Sequence, residues 1–333
     1  MKKYLSVLLA VAMIFCLAAC GDSGEQQSAD PGKTMPTFAI VASDTTGDRG
    51  FVDMSYEGIQ KAAKDFGIEW KFFSCNNDAS IYLDTMKAAA ENYDVIFVVP
   101  GYFYDNEIAE VSALYPDKTF VYIDGTTDMA GVVSCSFMQN EGAFLAGVLA
   151  ANLTESGKVG FLGGADMAVI HDYQIGFEEG VAYANTGANV IVRYTNDHYD
   201  PALGKETAKA SYEEGADVIF QAAGPAGLGV LEAAEEYGFI GIGVDTDQGY
   251  IHPNCIASSM LKRVDTAVYD IVSKAISGEE LPAVNVYNVA NAGISLADNE
   301  YYQAMVSPEI RDVVKAATEA VASGSVKVSS YFN

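Results

Sequence analysis

Three aspartates stand where apolar runs end: Asp44 after Ile40-Val41-Ala42-Ser43, Asp124 after Phe120-Val121-Tyr122-Ile123, and Asp245 after Gly241-Ile242-Gly243-Val244. A carboxylate at a strand end accepts hydrogen bonds from hydroxyls and suits a vicinal diol such as ribose. The competing role for each is a helix cap or a turn residue. Phe51 follows Gly47-Asp48-Arg49-Gly50 at a helix start, where its ring either covers a planar ligand or packs the helix entry onto a sheet. His198-Tyr199, ahead of Asp200-Pro201, sit at the matching kind of turn in the second half and supply either an opposing ring or a solvated turn. Gly224-Pro225-Ala226-Gly227-Leu228-Gly229 opens a helix after a strand, which turns backbone N–H groups toward a polar ligand atom. Lys262, after the run 256–260, either reaches a ribose oxygen or lies on the surface.

This chemistry is binding rather than turnover. His171, His198 and His252 have no partner spacing for a catalytic triad, and neither GxSxG nor a Walker sequence occurs. The glycine run has the order GxxGxG rather than GxGxxG, and Pro225 removes a donor, so it is no dinucleotide fingerprint. Asp245-Thr246-Asp247-Gln248-Gly249-Tyr250 opens like a calcium loop but has Tyr250 where glycine is required. No enzyme activity, metal or cofactor is expected. The balance of 19 basic against 45 acidic residues, net −26, leaves no basic patch for nucleic acid.

The elements that must position these residues repeat. Asp94-Val95-Ile96-Phe97-Val98-Val99-Pro100-Gly101 returns 123 residues later as Asp217-Val218-Ile219-Phe220-Gln221-Ala222-Ala223-Gly224. Tyr56-Glu57-Gly58 answers to Phe177-Glu178-Glu179-Gly180, Asp124 to Asp245, and Val133-Ser134-Cys135-Ser136-Phe137 to Ile256-Ala257-Ser258-Ser259-Met260. Four matches in one order at nearly one shift indicate two similar halves. In the first half, short apolar runs at 37–42, 68–73, 94–99, 120–123 and 132–137 alternate with helical patterns at 51–66, 81–93 and 106–115. The second half repeats the cycle, with helices expected at 144–153, 169–183, 201–214, 228–237 and 264–276. Strands alternating with helices predict α/β architecture: two doubly wound parallel-sheet lobes, with ligand outside the carboxyl ends of the strands in a cleft between them.

The amino terminus sets the compartment. Met1-Lys2-Lys3 and the apolar stretch 4–17 have the layout of a secretory signal over 1–19, too short to span a bilayer. Leu17-Ala18-Ala19-Cys20 resembles the bacterial lipobox, which implies a diacylglyceryl group on Cys20 and anchoring at the extracytoplasmic face of the cell membrane. Residues 20–35 read as a flexible tether. Of the other cysteines, Cys16 leaves with the signal, and Cys75, Cys135 and Cys255 show no CxxC spacing and read as core thiols.

With these residues in place, the chain resembles the basic membrane protein (Bmp/PnrA) family of ABC-transporter substrate-binding lipoproteins, whose characterised members bind purine nucleosides. The resemblance rests on four stretches: Asp48-Arg49-Gly50-Phe51 with Tyr56-Glu57-Gly58; Ser156-Gly157-Lys158-Val159-Gly160-Phe161-Leu162-Gly163-Gly164; Gly215-Ala216-Asp217-Val218-Ile219-Phe220 with Gly227-Leu228-Gly229-Val230; and Gly243-Val244-Asp245-Thr246-Asp247-Gln248 with Met260-Leu261-Lys262-Arg263-Val264-Asp265. It implies a type I periplasmic-binding-protein fold, with lobes over 36–138 plus 261–281 and 139–260 plus 282–333, joined by three crossovers. It further implies that Asp44 and Phe51 meet a base, with His198 or Tyr199 as the second stacking ring. Asp124, Gly224, Asp245 and Lys262 would then meet the ribose. The implied partners are a nucleoside and ABC permease subunits, for a monomer tethered to the membrane. Gly50-Phe51-Val52 replaces the family's usual Ser-Phe-Asn, Gly224-Pro225 its Gly-Gly, and the second ring position holds His198, which leaves open a free base, a pyrimidine nucleoside or another flat, polar ligand. Because rings also stack on sugars, a binding protein of the same fold for a sugar or signalling molecule is the other reading.

Overall fold

The computed structural model describes residues 35–332. The signal, Cys20 and the tether up to residue 34 lie outside the described residues. Among the described residues, no helix is long and apolar enough to cross a membrane.

The first half runs β1 (Phe38–Ala42), α1 (Phe51–Phe66), β2 (Trp70–Ser74), α2 (Tyr82–Asn92), β3 (Val95–Val99), α3 (Asp105–Leu114), β4 (Thr119–Ile123) and β5 (Val132–Phe137). The second half runs α4 (Gln139–Leu153), β6 (Lys158–Gly163), α5 (Ala168–Ala184), β7 (Asn189–Tyr194), α6 (Pro201–Glu213), β8 (Val218–Ala222), α7 (Gly227–Tyr237), β9 (Ile240–Asp245) and β10 (Ile256–Lys262). Then follow α8 (Val264–Ser277), β11 (Val284–Tyr287), β12 (Ile294–Leu296), α9 (Glu300–Met305) and α10 (Pro308–Ala322). Local chemistry sets the boundaries. Asp200 caps α6 by accepting from the N–H groups of Ala202 and Leu203, with Pro201 in the first turn. Gly67, Gly238 and Gly278 close α1, α7 and α8 in left-handed conformation.

The strands form two six-stranded sheets, ordered β11-β5-β4-β3-β1-β2 and β12-β10-β9-β8-β6-β7. Every neighbour is parallel except the β10–β12 pair. β1, β3 and β8 are buried along their whole length, as strands covered by helices on both faces must be. The repeat read in the sequence has a structural counterpart at the strand entries. Asp94 accepts from the N–H and hydroxyl of Thr37, and Asp217 from the N–H groups of Glu155 and Ser156, each locking its strand to the start of its own lobe.

The architecture is the expected pair of parallel-sheet α/β lobes, but one segment lies elsewhere. Residues 282–333 were all expected in the second lobe, whereas Val284–Tyr287 pair in parallel with β5 and complete the first sheet. Their burial alternates residue by residue, the mark of an edge strand rather than a buried run. The chain therefore crosses between sheets after β5, after β10 and between β11 and β12. β12, α9 and α10 were not anticipated at all. Among the described residues Cys75, Cys135 and Cys255 form no disulfide, the first two buried and Cys255 half-buried.

Close helix packing supports the second lobe. α4 has most of its residues buried, and α5 crosses it at glycines. A methyl group on Gly176 or Gly180 would run into the carbonyl oxygens of Asn140 or Phe144, and one on Gly147 into that of Phe177. Gly180→Ala is therefore expected to cost about 1–3 kcal/mol through overpacking. Urea titration would show this as a lower midpoint at unchanged slope, and a midpoint equal to the parent's would refute the close-approach account.

Candidate functional site

Parallel register brings the strand ends of each sheet into line: Ala42 lies opposite Val99, Val98 opposite Tyr122, Gly163 opposite Ala222 and Asp245 opposite Leu261. The two rows of strand ends face each other across an open cavity of about 690 Å³ counted out to its mouth, solvent space included. Asp44, Phe51, Asp124, His198, Tyr199, Gly224, Asp245 and Lys262, the eight residues singled out from the sequence, all line it.

Charge dominates its inner wall. Lys262 is the last residue of β10 rather than a residue beyond it, and its Nζ lies 2.5 Å from Asp124 Oδ1 with both side chains at most 5% exposed. This ion pair joins the two lobes. The rings of Phe51, Phe137 and Tyr173 surround the ammonium at 5.3, 5.3 and 5.5 Å, within cation–π range. Asp245 is buried beside the pair, with the Tyr173 hydroxyl 3.5 Å from its Oδ1. Burial pushes its carboxyl up to about 7; Lys262 opposes that rise, while Asp124 and Asp48 add to it.

Asp124 and Asp245 share a backbone peculiarity, with φ of 77° and 66°. The left-handed region is sparsely populated outside glycine, though aspartate enters it more readily than most residues. Both chains turn sharply at this point, and both carboxylates reach the cavity wall.

The remaining predicted residues form the outer walls. Asp44 accepts from the N–H of Thr45 at 2.7 Å. The loop before Phe51 is locked by side chains: Asp48 accepts from the N–H groups of Gly50, Val52 and Asp53, and Asp53 from those of Gly47 and Arg49. Desolvation lowers the His198 pKa, which favours the neutral ring, and its Nε2 lies 3.5 Å from Met167 Sδ. Tyr199 is 39% exposed. Gly224 starts a short 3-10 turn at φ 56°, but the run presents fewer free amides than the sequence implied. The N–H of Ala226 donates to the His198 carbonyl, and that of Gly227 bonds back to Gly224. A second tie between lobes lies next to Asp245 in the chain, where the Arg49 carbonyl accepts from Thr246 Oγ1 at 2.9 Å and Gln248 Nε2 at 3.3 Å.

Sequence reasoning missed Asp48, Tyr102, Phe103 and Tyr173, which also line the cavity. A signal for Tyr102 was present, since the duplication sets Gly101 opposite Gly224. Tyr173 carried none, because its place on the apolar face of α5 with Val169, Ile170 and Phe177 reads as core. Chemically the cavity offers aromatic faces, one internally paired cation and three carboxylates without a cation of their own among the described residues, Asp44, Asp48 and Asp245. Among the described residues, no cluster of potential metal ligands occurs.

Comparison with known proteins points one way. The family model described as ABC transporter substrate-binding protein PnrA-like matches residues 35–325. The chain is 31% identical to the CD4+ T-cell-stimulating antigen of Listeria monocytogenes serovar 1/2a, over 97% of this chain and 96% of that one. It is 29% identical to the ABC transporter nucleoside-binding protein BmpA of Lactococcus lactis subsp. cremoris, over 99% and 100%. Among solved structures, an ABC transporter solute-binding protein from Aeropyrum pernix K1 superposes with a TM-score of 0.81 at 25% identity, covering 88% of this chain and 93% of that one.

The Asp245 environment fixes a pH dependence. An unfolded aspartate releases its proton near 3.8, whereas the folded one holds it to about 7. Between those values the folded state binds the extra proton, so this group's contribution to stability falls as pH rises through the window and levels off above it. Asp245→Asn is expected to raise stability by up to about 4 kcal/mol at pH 8 and by little at pH 4. Melting temperatures of parent and variant at both pH values would show it; an equal difference at the two would contradict the assignment.

Proposed function

Because the chain belongs to the PnrA-like family of ABC transporter substrate-binding proteins, we propose that it captures a nucleoside, with purine nucleosides preferred, between its lobes for delivery to a membrane permease. The observation that carries this reading is the pairing of an aromatic outer wall with the Asp124–Lys262–Asp245 inner wall in one interlobe cavity. A nucleoside has the matching division, a flat base at one end and a vicinal diol at the other.

In this reading Phe51 covers one face of the base and His198 or Tyr199 the other, each stack contributing roughly 1–3 kcal/mol, while Asp44 meets its polar edge. Asp124, Asp245, Lys262 and Gly224 meet the sugar. Ribose hydroxyls donate to the carboxylates, and the lysine ammonium donates to a sugar oxygen. A hydroxyl donated to Asp245 adds to the single long contact from the Tyr173 hydroxyl and so lowers the cost of its buried carboxylate. Ligand thereby favours the closed arrangement in which Thr246 and Gln248 reach the Arg49 carbonyl. The protein acts as a monomer without catalysis, held at the extracytoplasmic face by a lipid on Cys20.

Two experiments test this. Calorimetry on the full chain in mild detergent is expected to give binding of inosine, guanosine or adenosine and none of ribose or galactose, with Asp245→Ala weakening it by roughly 1–3 kcal/mol. Binding of the sugars without the nucleosides would overturn the ligand assignment. For the anchor, growth with an alkyne fatty acid is expected to label the parent and not Cys20→Ser; equal labelling would remove Cys20 as the lipidation site.

A further inference from the structure

The cavity is unbalanced in charge. Four carboxylates line it, Asp44, Asp48, Asp124 and Asp245, against one ammonium, that of Lys262. Among the described residues that line it, no other Lys or Arg occurs. Asp124 already engages the ammonium at 2.5 Å, and desolvation holds His198 toward its neutral form. Asp48 directs its oxygens at the backbone N–H groups of Gly50, Val52 and Asp53, which orient the carboxylate without cancelling its charge. With every acid ionised, the walls carry three negative charges in excess; with Asp245 protonated they still carry two.

The excess extends to the aromatic end. The Tyr199 hydroxyl holds its proton more tightly than usual, first through burial, against a hydrogen bond from Ser43, and then through the negative fields of Asp44, Asp197 and Asp48. Carboxylates from both lobes thus act on one ring. A cleft lined by a single sign of charge, with walls of low dielectric, focuses its field inward. Aromatic faces add to this, because the ring quadrupole attracts a cation placed over it. Both effects act in the same sense on a stacked base: they favour positive charge on it, and the field opposes a phosphate anywhere in the cavity.

We propose that the cavity prefers purine nucleosides whose base carries a delocalised positive charge, the class formed by alkylating a ring nitrogen, as in 7-methylguanosine. The proposal rests on the nucleoside reading and on its placement of the base at Asp44. Such a base stacks on Phe51 and on His198 or Tyr199 as a cation on aromatic faces. Its ring N–H and exocyclic amine, made stronger donors by the charge, meet Asp44 in charge-assisted hydrogen bonds. Asp48 and Asp197 contribute field rather than contact. The sugar keeps the partners that an unmodified nucleoside has.

Calorimetry on the full chain in detergent at pH 6, where 7-methylguanosine keeps both its positive charge and its N1 proton, would compare it with 7-methyl-7-deazaguanosine, which has the same outline and no charge. Guanosine and guanosine 5′-monophosphate complete the set. The cation is expected to bind about tenfold tighter than its uncharged isostere, as a desolvated cation on aromatic faces beside a carboxylate allows. Guanosine is expected to bind about tenfold or more tighter than the monophosphate. In Asp44→Asn the advantage of the cation over the isostere is expected to fall below about threefold, beyond any loss common to all four ligands; a tenfold advantage kept there would overturn the pairing with Asp44. If guanosine binds while the isostere equals the cation, or neither 7-methyl compound binds, or the monophosphate equals guanosine, the charge preference is overturned and the nucleoside reading stands. Binding by none of the four would overturn both.

Discussion

The Asp124–Lys262 ion pair governs the arrangement of the cleft. Removing two charges from water costs several kcal/mol per ion, and their mutual attraction repays that only with close geometry and further hydrogen bonds. A pair 2.5 Å apart and almost wholly buried is thus weak evidence of stabilisation, because an apolar pair of the same volume would hold the lobes as well. What the pair does is impose a requirement. It spans the lobes, so the two sheets must approach in one registration for both ions to be satisfied. It also sits beside Asp245, so the wall carries one negative charge too many whenever all three groups are ionised. A protein that keeps such a wall is organised around something else arriving there.

The duplicated architecture explains how two of these three charges come to face each other. Each sheet delivers an aspartate at the end of its fourth strand in chain order, in a left-handed turn that few side chains tolerate. Repeating the turn places the carboxylates across the cleft at equivalent positions. Lys262 has no charged counterpart on the facing side, where the repeat that sets Val133 opposite Ile256 puts Gln139 at the matching position. The site is symmetric in its acceptors and asymmetric in its cation, which gives a ligand a defined direction of entry.

Much of this was legible in the sequence, because repetition is a strong signal. The run ending at Gly101 and its copy ending at Gly224 identified both sheets, and the paired Asp124 and Asp245 identified the wall between them. Other features left weaker marks. Val284–Tyr287 alternate in burial and span four residues, too short to stand out from a loop. Tyr173 reads as core because it is core on one side and cavity on the other. The interlobe bonds of the Arg49 carbonyl involve a backbone atom, which no residue type advertises. The raised Asp245 carboxyl depends on neighbours from several elements distant in the chain, so it emerges only once they are assembled.

The sheet order also governs when the molecule can assemble as it leaves a ribosome or a translocon. The edge of the first sheet beside β5 is filled by Val284–Tyr287, and α8 packs with α1, so the first lobe is incomplete until residue 287 has emerged. Until then Val132–Phe137 present an unpaired row of amides and carbonyls, the kind of edge on which chains aggregate. Amino-terminal segments of multidomain proteins usually fold first during synthesis. In this chain the lobe that begins first is finished only after the second lobe's parallel strands have been made, and a product cut short anywhere in the intervening stretch leaves that edge open.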